Sequence, residues 1–442
     1  MRRRRSWRGI WGDWGMFKPL SQVELGLRCL AIKDGTHGTH PRVSEGVPLL
    51  SAKNISGFGE ISFDETDDLI SEKEYEAITK SFPLETGDVL LTVVGSLGRS
   101  ALFTGQKVAF QRSVAFLRPD QKQLVPRFLY HAVRHEGFKR QLTRRSNATA
   151  QAGIYLGELA RCVIPDFNIG EQQAIADILD TLDTQIRQTE AIIAKLQQVK
   201  QGLLHDLLTR GIDANGQLRP PREQAPELYK ESPLGWIPRE WEMVALEDVA
   251  DVSRGKFTHR PRNDPRYFGG VHPFIQTGDV AISGGGIVTR YFQTLSDKGV
   301  EASKEFPAGS VAVTIAANIA DTGILGVPMY FPDSVVGVVV NSGVRNRYVE
   351  LVIRSAKRRL DARAPQSAQK NINLQDLRPL PVPLPSYGEQ NLIAERYETF
   401  DTRLTKEKDA VDKLKQQKSG LMDDLLTGRV RVTQLTDQQL AS

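Results

Sequence analysis

The sequence predicts an α+β protein made as two copies of one unit, each a mixed α/β domain followed by a long helix. Three observations carry the prediction. The segment from Ile164 to Leu208 aligns without a gap onto Val382 to Leu426 at a constant offset of 218 residues, Gly170 falling on Gly388. Within each copy, apolar residues recur at alternating steps of four and three, the seam of a helix that buries one narrow stripe. Ahead of each copy lies a stretch of short β-rich runs and turns with one helix, and the two stretches agree loosely at scattered positions.

Under the offset, Pro165 falls on Pro383, Gly170-Glu171-Gln172 on Gly388-Glu389-Gln390, and Asp206-Leu207-Leu208-Thr209 on Asp424-Leu425-Leu426-Thr427. The first seam consists of Ile175, Leu179, Leu182, Ile186, Ile193, Leu196, Leu203 and Leu207, and the second of Ile393, Tyr397, Phe400, Leu404, Val411, Leu414, Leu421 and Leu425. Polar interruptions coincide, Thr189 with Glu407 and Lys200 with Lys418. About 40 residues at ~1.5 Å each make a rod of about 60 Å, too long for an ordinary core helix, so the two stripes are expected to pack on each other. Pro165 and Pro383 are expected to end the strand-like stretches before the rods, because proline lacks a ladder donor.

The division expected is a tail over residues 1–19, a first domain over 20–163, a helical segment over 164–212, a polar Pro-rich linker over 213–239, a second domain over 240–381, a second helical segment over 382–430 and a tail over 431–442. The domains match at Val23-x-Leu25 with Val244-x-Leu246, at Asp34-Gly35 with Arg254-Gly255, and at Val47-Pro48-Leu49-Leu50 with His272-Pro273-Phe274-Ile275. Between these positions they diverge. Two domains on one frame that read different ligands would look like this.

The balance of 58 basic against 53 acidic residues gives +5, compatible with a polyanionic partner. Cys29 and Cys162 are the two cysteines, without a Cys-x-x-Cys spacing, which argues against a disulfide framework and fits a cytoplasmic protein. No apolar run reaches the roughly 18 residues of a membrane span, so no membrane partner is expected. Clustering of charge is more informative than the total. A basic helix closes each domain, with His131, Arg134, His135, Lys139, Arg140, Arg144 and Arg145 in the first and Arg354, Lys357, Arg358, Arg359 and Arg363 in the second.

The loop from Arg254 to Arg266 contributes Arg254, Lys256, Thr258, His259, Arg260, Arg262 and Arg266; its counterpart contributes His37, Thr39, His40 and Arg42. Arginine and lysine suit guanine edges and phosphates, while histidine, asparagine and threonine suit other base edges. Lys53, Asn54, Arg99, Arg144, Arg145 and Lys370 complete the candidate nucleic-acid contacts.

No catalytic residue is assigned. There is no Asn/Asp-Pro-Pro-Tyr/Phe motif for a flipped adenine, and Arg219-Pro-Pro-Arg222 lacks both its acid amide and its aromatic. Gly95-Ser-Leu-Gly-Arg-Ser100 is not a phosphate-binding loop of the motor type, and Gly284-Gly-Gly286 reads as a tight turn. His37 with His40, and His131 with His135, have spacings a metal could use, but no carboxylate accompanies either pair in the sequence, so no metal site is expected.

The doubled Ile/Val-Pro-x-x-x-x-Gly-Glu-Gln-x-x-Ile-Ala opening, the heptad helix and the Gly-Leu-x-x-Asp-Leu-Leu-Thr exit resemble the specificity subunit of type I restriction-modification enzymes, over about residues 20 to 430. The four-arginine start, and Leu20 where the second half has Trp241, depart from that pattern. The resemblance implies two target-recognition domains, each reading half of a split asymmetric site in double-stranded DNA, and two helices in an antiparallel coiled coil with pseudo-twofold symmetry that sets the unread spacer. It also implies a non-catalytic chain that binds no cofactor. Two modification subunits would carry S-adenosylmethionine and transfer methyl groups to adenine, and restriction subunits would supply an ATP- and Mg²⁺-dependent motor and nuclease. The rival reading is a tandem coiled-coil scaffold that binds protein alone.

Overall fold

The computed structural model describes residues 20–81, 83–146, 153–259, 263–316, 318–363 and 371–432. The chain forms two compact units, one of residues 1–190 with 409–442 and one of residues 191–408. Two long helices, Ile169–Thr209 and Tyr387–Leu426, contribute to both units.

In the first unit the main sheet runs Cys29–Asp34, Val114–Pro119, Val89–Thr92, Ser100–Leu102, with every neighbour antiparallel. The second unit repeats this order with Ala250–Arg254, Val335–Val340, Val311–Thr314 and Thr322–Leu325, and adds Ile287–Val288 in parallel at the edge. Val89–Thr92 and Val311–Thr314 are inner strands of these sheets and are buried along their whole length, as their short unbroken apolar runs require. A smaller sheet also recurs: Val47–Leu50 lies between antiparallel Leu69–Ile70 and parallel Ala109–Phe110, as Phe268–Phe274 lies between Gln293–Leu295 and Met329–Tyr330. These pairings join residues far apart in sequence.

Each domain is closed by a two-stranded ladder, Gln22–Glu24 with Val163–Pro165 and Glu242–Ala245 with Pro381–Leu384. Pro383 therefore does not end its strand as expected. It pairs with Met243 inside the ladder, which a two-stranded sheet tolerates because one edge of each strand needs no partner. The stretch between the halves is also more than a polar linker. It folds into a hairpin, Tyr229–Ser232 with Gly235–Pro238, and buries Tyr229 and Ile237. The run from Gly284 to Gly286 is a turn: Gly284 ends the helix Thr277–Ser283 at a φ of 57°.

None of the ten seam positions in either long helix is exposed. In the first unit Ile175 and Leu179 join a core with Leu25, Phe128, Met422, Leu425 and Leu426. In the second, Ile393 and Tyr397 join Leu207, Ile212, Trp241 and Tyr348. Each core thus combines a mixed domain with the start of the helix that follows it and the end of the other long helix. The two lysine interruptions have partners. Lys418 meets Asp183 at 2.5 Å in the first unit, and Lys200 pairs with Asp401 in the second.

The Gly-Glu-Gln motif fastens helix to domain. Gln172 is 2% exposed; its carbonyl accepts from Val125 N at 2.8 Å and its amide donates to the Gln123 and Phe167 carbonyls. Gln390, also 2% exposed, accepts from Arg345 N at 2.8 Å and donates to the Pro385 carbonyl. Val125 and Arg345 are the N-cap residues of the helices Pro126–Arg134 and Asn346–Ser355, so each glutamine ties the start of the long helix to the start of the basic helix. An arginine two residues beyond each cap adds an ion pair: Arg127 to Asp177 at 2.7 Å and Asp180 at 2.8 Å, Arg347 to Glu398 at 3.3 Å.

Much of the basic helical charge is paired with carboxylates that the fold brings to it. His131 is fully buried with Nε2 2.7 Å from Asp180, and His135 lies 3.2 Å from Asp423. Arg354 meets the buried Glu350 at 2.6 Å, Lys357 pairs with Asp321, and Arg145 lies 2.9 Å from Glu158. The side chain of Arg363 lies outside the described residues. Burial pushes the His131 imidazole below the usual histidine range, against the upward pull of its hydrogen bond to Asp180.

Two outcomes are expected. Replacing Gln172 or Gln390 by alanine leaves buried backbone groups unpaired and should cost about 2–4 kcal/mol in denaturant unfolding; a loss below about 1 kcal/mol would show that the amide does not hold the joint. Because His131 is held down in the folded state, the unfolded chain takes up a proton first as pH falls below the ordinary value of 6.5. The stabilisation from this site is therefore complete above that value and lost as pH drops through the folded value. A His131→Gln chain, which can still donate to Asp180, should show a shallower loss of stability on acidification, and an unchanged slope would count against it.

Candidate nucleic-acid interface

Both candidate loops leave their sheets at a glycine that no other residue could replace without displacing backbone. A Cβ on Gly35 would lie 2.1 Å from the Phe110 carbonyl oxygen, and one on Gly255 would lie 2.3 Å from that of Phe331. The sheet therefore fixes where each loop begins.

In the first domain His40 is the pivot of its loop. Its Nε2 lies 2.6 Å from Thr36 Oγ1 and its Nδ1 2.7 Å from Glu74, at the start of the helix Glu72–Ser81. Arg42 braces the same turn, donating to the His40 carbonyl and pairing with Asp68 at 2.9 Å. His37, 2.8 Å from Asp34, and Thr39 are exposed on the loop.

Lys53 is exposed and meets Asp67 at 2.7 Å. Asn54 is 4% exposed; its carbonyl accepts from Ser51 N, and its amide donates to the Ser62 carbonyl and to Asp67. That amide, with Lys53, holds the Asp67 carboxyl down to about 2. Asn54 is a brace of the turn and has no free edge to offer a base. Arg42 and Lys53 are brought onto neighbouring acids, whereas Arg99 and Arg144 stand exposed elsewhere on the domain.

In the second domain Arg254, Lys256 and Thr258 are exposed, and Thr258 donates to the Ala302 carbonyl at 3.4 Å. His259 stacks on Tyr267 with ring centroids 3.9 Å apart and lies 3.2 Å from Asp264. Asp264 caps the turn Pro265–Tyr267 and takes the Arg266 guanidinium at 2.6 Å, which holds its carboxyl far below the usual range. Arg260, Arg262 and Lys370 lie outside the described residues.

Beside this loop a pocket of about 390 Å³ is walled by Phe257, Phe268, Phe274, Pro265 and Pro332, with Asn263, Gln276 and Gln293 at its polar side. Gln276 Nε2 donates to Gln293 Oε1 at 3.0 Å. Carboxamides can pair with both polar atoms of an adenine edge. These three amides are absent from the sequence-derived set, and they sit on separate elements with no shared motif to reveal them.

The expectation that no carboxylate accompanies the histidine pairs is overturned. Asp34, Glu74, Asp180 and Asp423 stand beside His37, His40, His131 and His135, and ligand atoms of His131, Asp180 and Asp183 lie within 4.8 Å of one another. Arg127 and Lys418 already neutralise those two aspartates. Both cysteines are poor nucleophiles: burial pushes the thiols of Cys29 and Cys162 up to about 12 and about 11. No helix among the described residues is long and apolar enough to cross a membrane.

The Type I restriction modification DNA specificity domain matches residues 43–198 and again 238–415. Among curated proteins, the Type I restriction enzyme MjaVIII specificity subunit of Methanocaldococcus jannaschii is 24% identical over 389 residues, covering 83% of this chain and 85% of its own length. Among solved structures, the type I restriction-modification S subunit from M. genitalium covers 94% of this chain and 98% of its own at a TM-score of 0.56 and 13% identity. A chain solved in work on complex assembly and conformational transition of the type I R-M system covers 95% of this chain and all of its own at a TM-score of 0.58 and 16% identity. At such identities these structures speak for the fold. Two matches of one family model, covering most of both mixed domains and of both long helices, place the chain in the family of type I restriction-modification DNA specificity subunits.

Proposed function

We propose that each mixed domain reads one half of a split, asymmetric DNA site, and that the long helices form an antiparallel coiled coil that fixes the unread spacer between the halves. The observation that carries this reading is a duplicated frame with unduplicated loops. Sheet order, glutamine joint and loop-bearing glycine recur, while the loops differ in length, charge and polar groups. Selection of two different half-sites by one architecture calls for that combination.

An antiparallel, pseudo-twofold arrangement is supported within each unit. In the first, Glu171, Asp183 and Glu190 meet Arg431, Lys418 and Lys415, so one helix ascends as the other descends. In the second, Lys200 meets Asp401, and Glu389 accepts from Ile212 N just beyond the first helix. Asp183 and Asp401 are related by the repeat offset, as are Lys200 and Lys418. The two repeats then offer equivalent surfaces to two modification subunits, which bring S-adenosylmethionine and the methyl transfer, while restriction subunits bring the ATP- and Mg²⁺-dependent steps. This chain supplies the address and no bond-making chemistry. In the first half His37, Thr39, Arg42, Lys53, Arg99, Arg144 and Arg145 remain candidate contacts, with His40 shaping their loop; in the second, Arg254, Lys256, Thr258, His259 and Arg266 do.

Methylated positions in DNA treated with the assembled complex test the division of labour. Lys256→Ala should relax recognition in one half-site and Thr39→Ala in the other, each lost base contact costing about 1–3 kcal/mol, roughly 5- to 150-fold. Equal losses in both halves from either change would contradict it. Inserting seven residues at matching places in both long helices should lengthen the rod by about 10 Å and the unread spacer by about three base pairs. A complex that assembles and methylates at the original spacing would rule out the strut.

A further inference from the structure

A cleft of about 670 Å³ in the first unit is lined by Arg99, Arg134, Lys139, Arg140, Lys415 and Lys418, against which stand the acids Glu136 and Asp423. Three of the six cations are engaged. Lys418 meets Asp183 at 2.5 Å, Lys415 meets Glu190 at 2.7 Å, and Arg134 donates to the Gly57 carbonyl at 3.2 Å while lying over the Tyr130 ring. The other three, Arg99, Lys139 and Arg140, are exposed, and their charged ends form no ion pair among the described residues. Asp423 does not balance them, because His135 at 3.2 Å and Arg429 share it.

The fold holds these charges in place. Arg99 follows a turn shaped by Gly95 and Gly98 at φ of 81° and 85°, and Gly98 faces the side chains of Leu142 and Lys139. On the other side the Phe58 ring lies 5.7 Å from the Lys415 ammonium. Like charges gathered on a concave surface focus a positive potential that draws an anion in. We propose that this cleft grips backbone phosphate of the bound duplex, an anchor separate from the base-reading loops; the inference rests on the DNA-recognition reading above.

A protein partner is the less suitable occupant, because the cleft is not duplicated. Thr92 Oγ1 accepts from Arg99 N at 2.9 Å, and Thr314 Oγ1 accepts from Asp321 N at 3.0 Å, so Asp321 occupies the place of Arg99 on the matching turn of the second sheet. Asp321 is negative and pairs with Lys357. Two copies of one modification subunit need two equivalent surfaces, and a duplex does not.

The test uses the chain assembled with its modification subunits and measures duplex affinity over a salt series. Lys139→Gln with Arg140→Gln should weaken every sequence alike, lower the steepness of log affinity against log salt by roughly 1 to 2, and leave the methylated positions unchanged. The charge-keeping pair Lys139→Arg with Arg140→Lys should retain the wild-type slope. An unaltered slope in the glutamine pair beside a steep wild type overturns the cleft assignment, as does loss of modification-subunit assembly with the slope intact. A wild-type complex with no salt-dependent affinity sinks the DNA-recognition reading itself.

Discussion

The angle at which each reading domain meets its long helix rests on one buried carboxamide. Gln172 and Gln390 each satisfy a backbone N–H at the start of a basic helix and a carbonyl just before the long helix. A group that bridges two helix starts pairs a backbone donor at one and a backbone carbonyl at the other, and its cost of burial is offset only when all its bonds are made at once. Arg127 with Asp180 and Arg347 with Glu398 add an ion pair at each joint.

The two joints are not equally furnished. Around Glu389, Arg219, Trp241 Nε1 and Ile212 N converge on one carboxylate that is 9% exposed. Glu171, its counterpart by the repeat, meets Arg431 at 3.3 Å and is otherwise tied to its own cap residue Asn168. Leu20 lies against Gly428 as Trp241 lies against Gly211, so the leucine stands where the tryptophan would be and has no N–H to give. The first half keeps the shape of the joint with fewer hydrogen bonds.

The helices were legible because their period is local: each seam residue sits three or four places from the next, and no position of either stripe is exposed. The Gly-Glu-Gln motif announced a joint without saying what it joined, since Val125 and Arg345 lie 47 and 45 residues before their glutamines. Charge was legible and its use was not. The cations of the basic helices look free until the fold brings Asp180, Asp321, Glu350 and Asp423 to them, and Asn54 looks like a base reader until Asp67 closes on it. Sheet order escaped for the same reason, because its pairings are set by tertiary packing and not by spacing.

The lysines that break the seam now have a physical role. A lysine in an apolar stripe gives up hydration, and burial lowers the affinity of Lys418 for its proton even with Asp183 beside it. Against a pair of apolar residues such an ion pair adds little net stability. Its leverage is on the alternatives: sliding one helix by a turn would leave Lys200 or Lys418 buried without its aspartate, at a cost of about 3–5 kcal/mol for each broken pair. Two such pairs, placed by the repeat at matching positions, select one register out of several that a uniform apolar seam would accept.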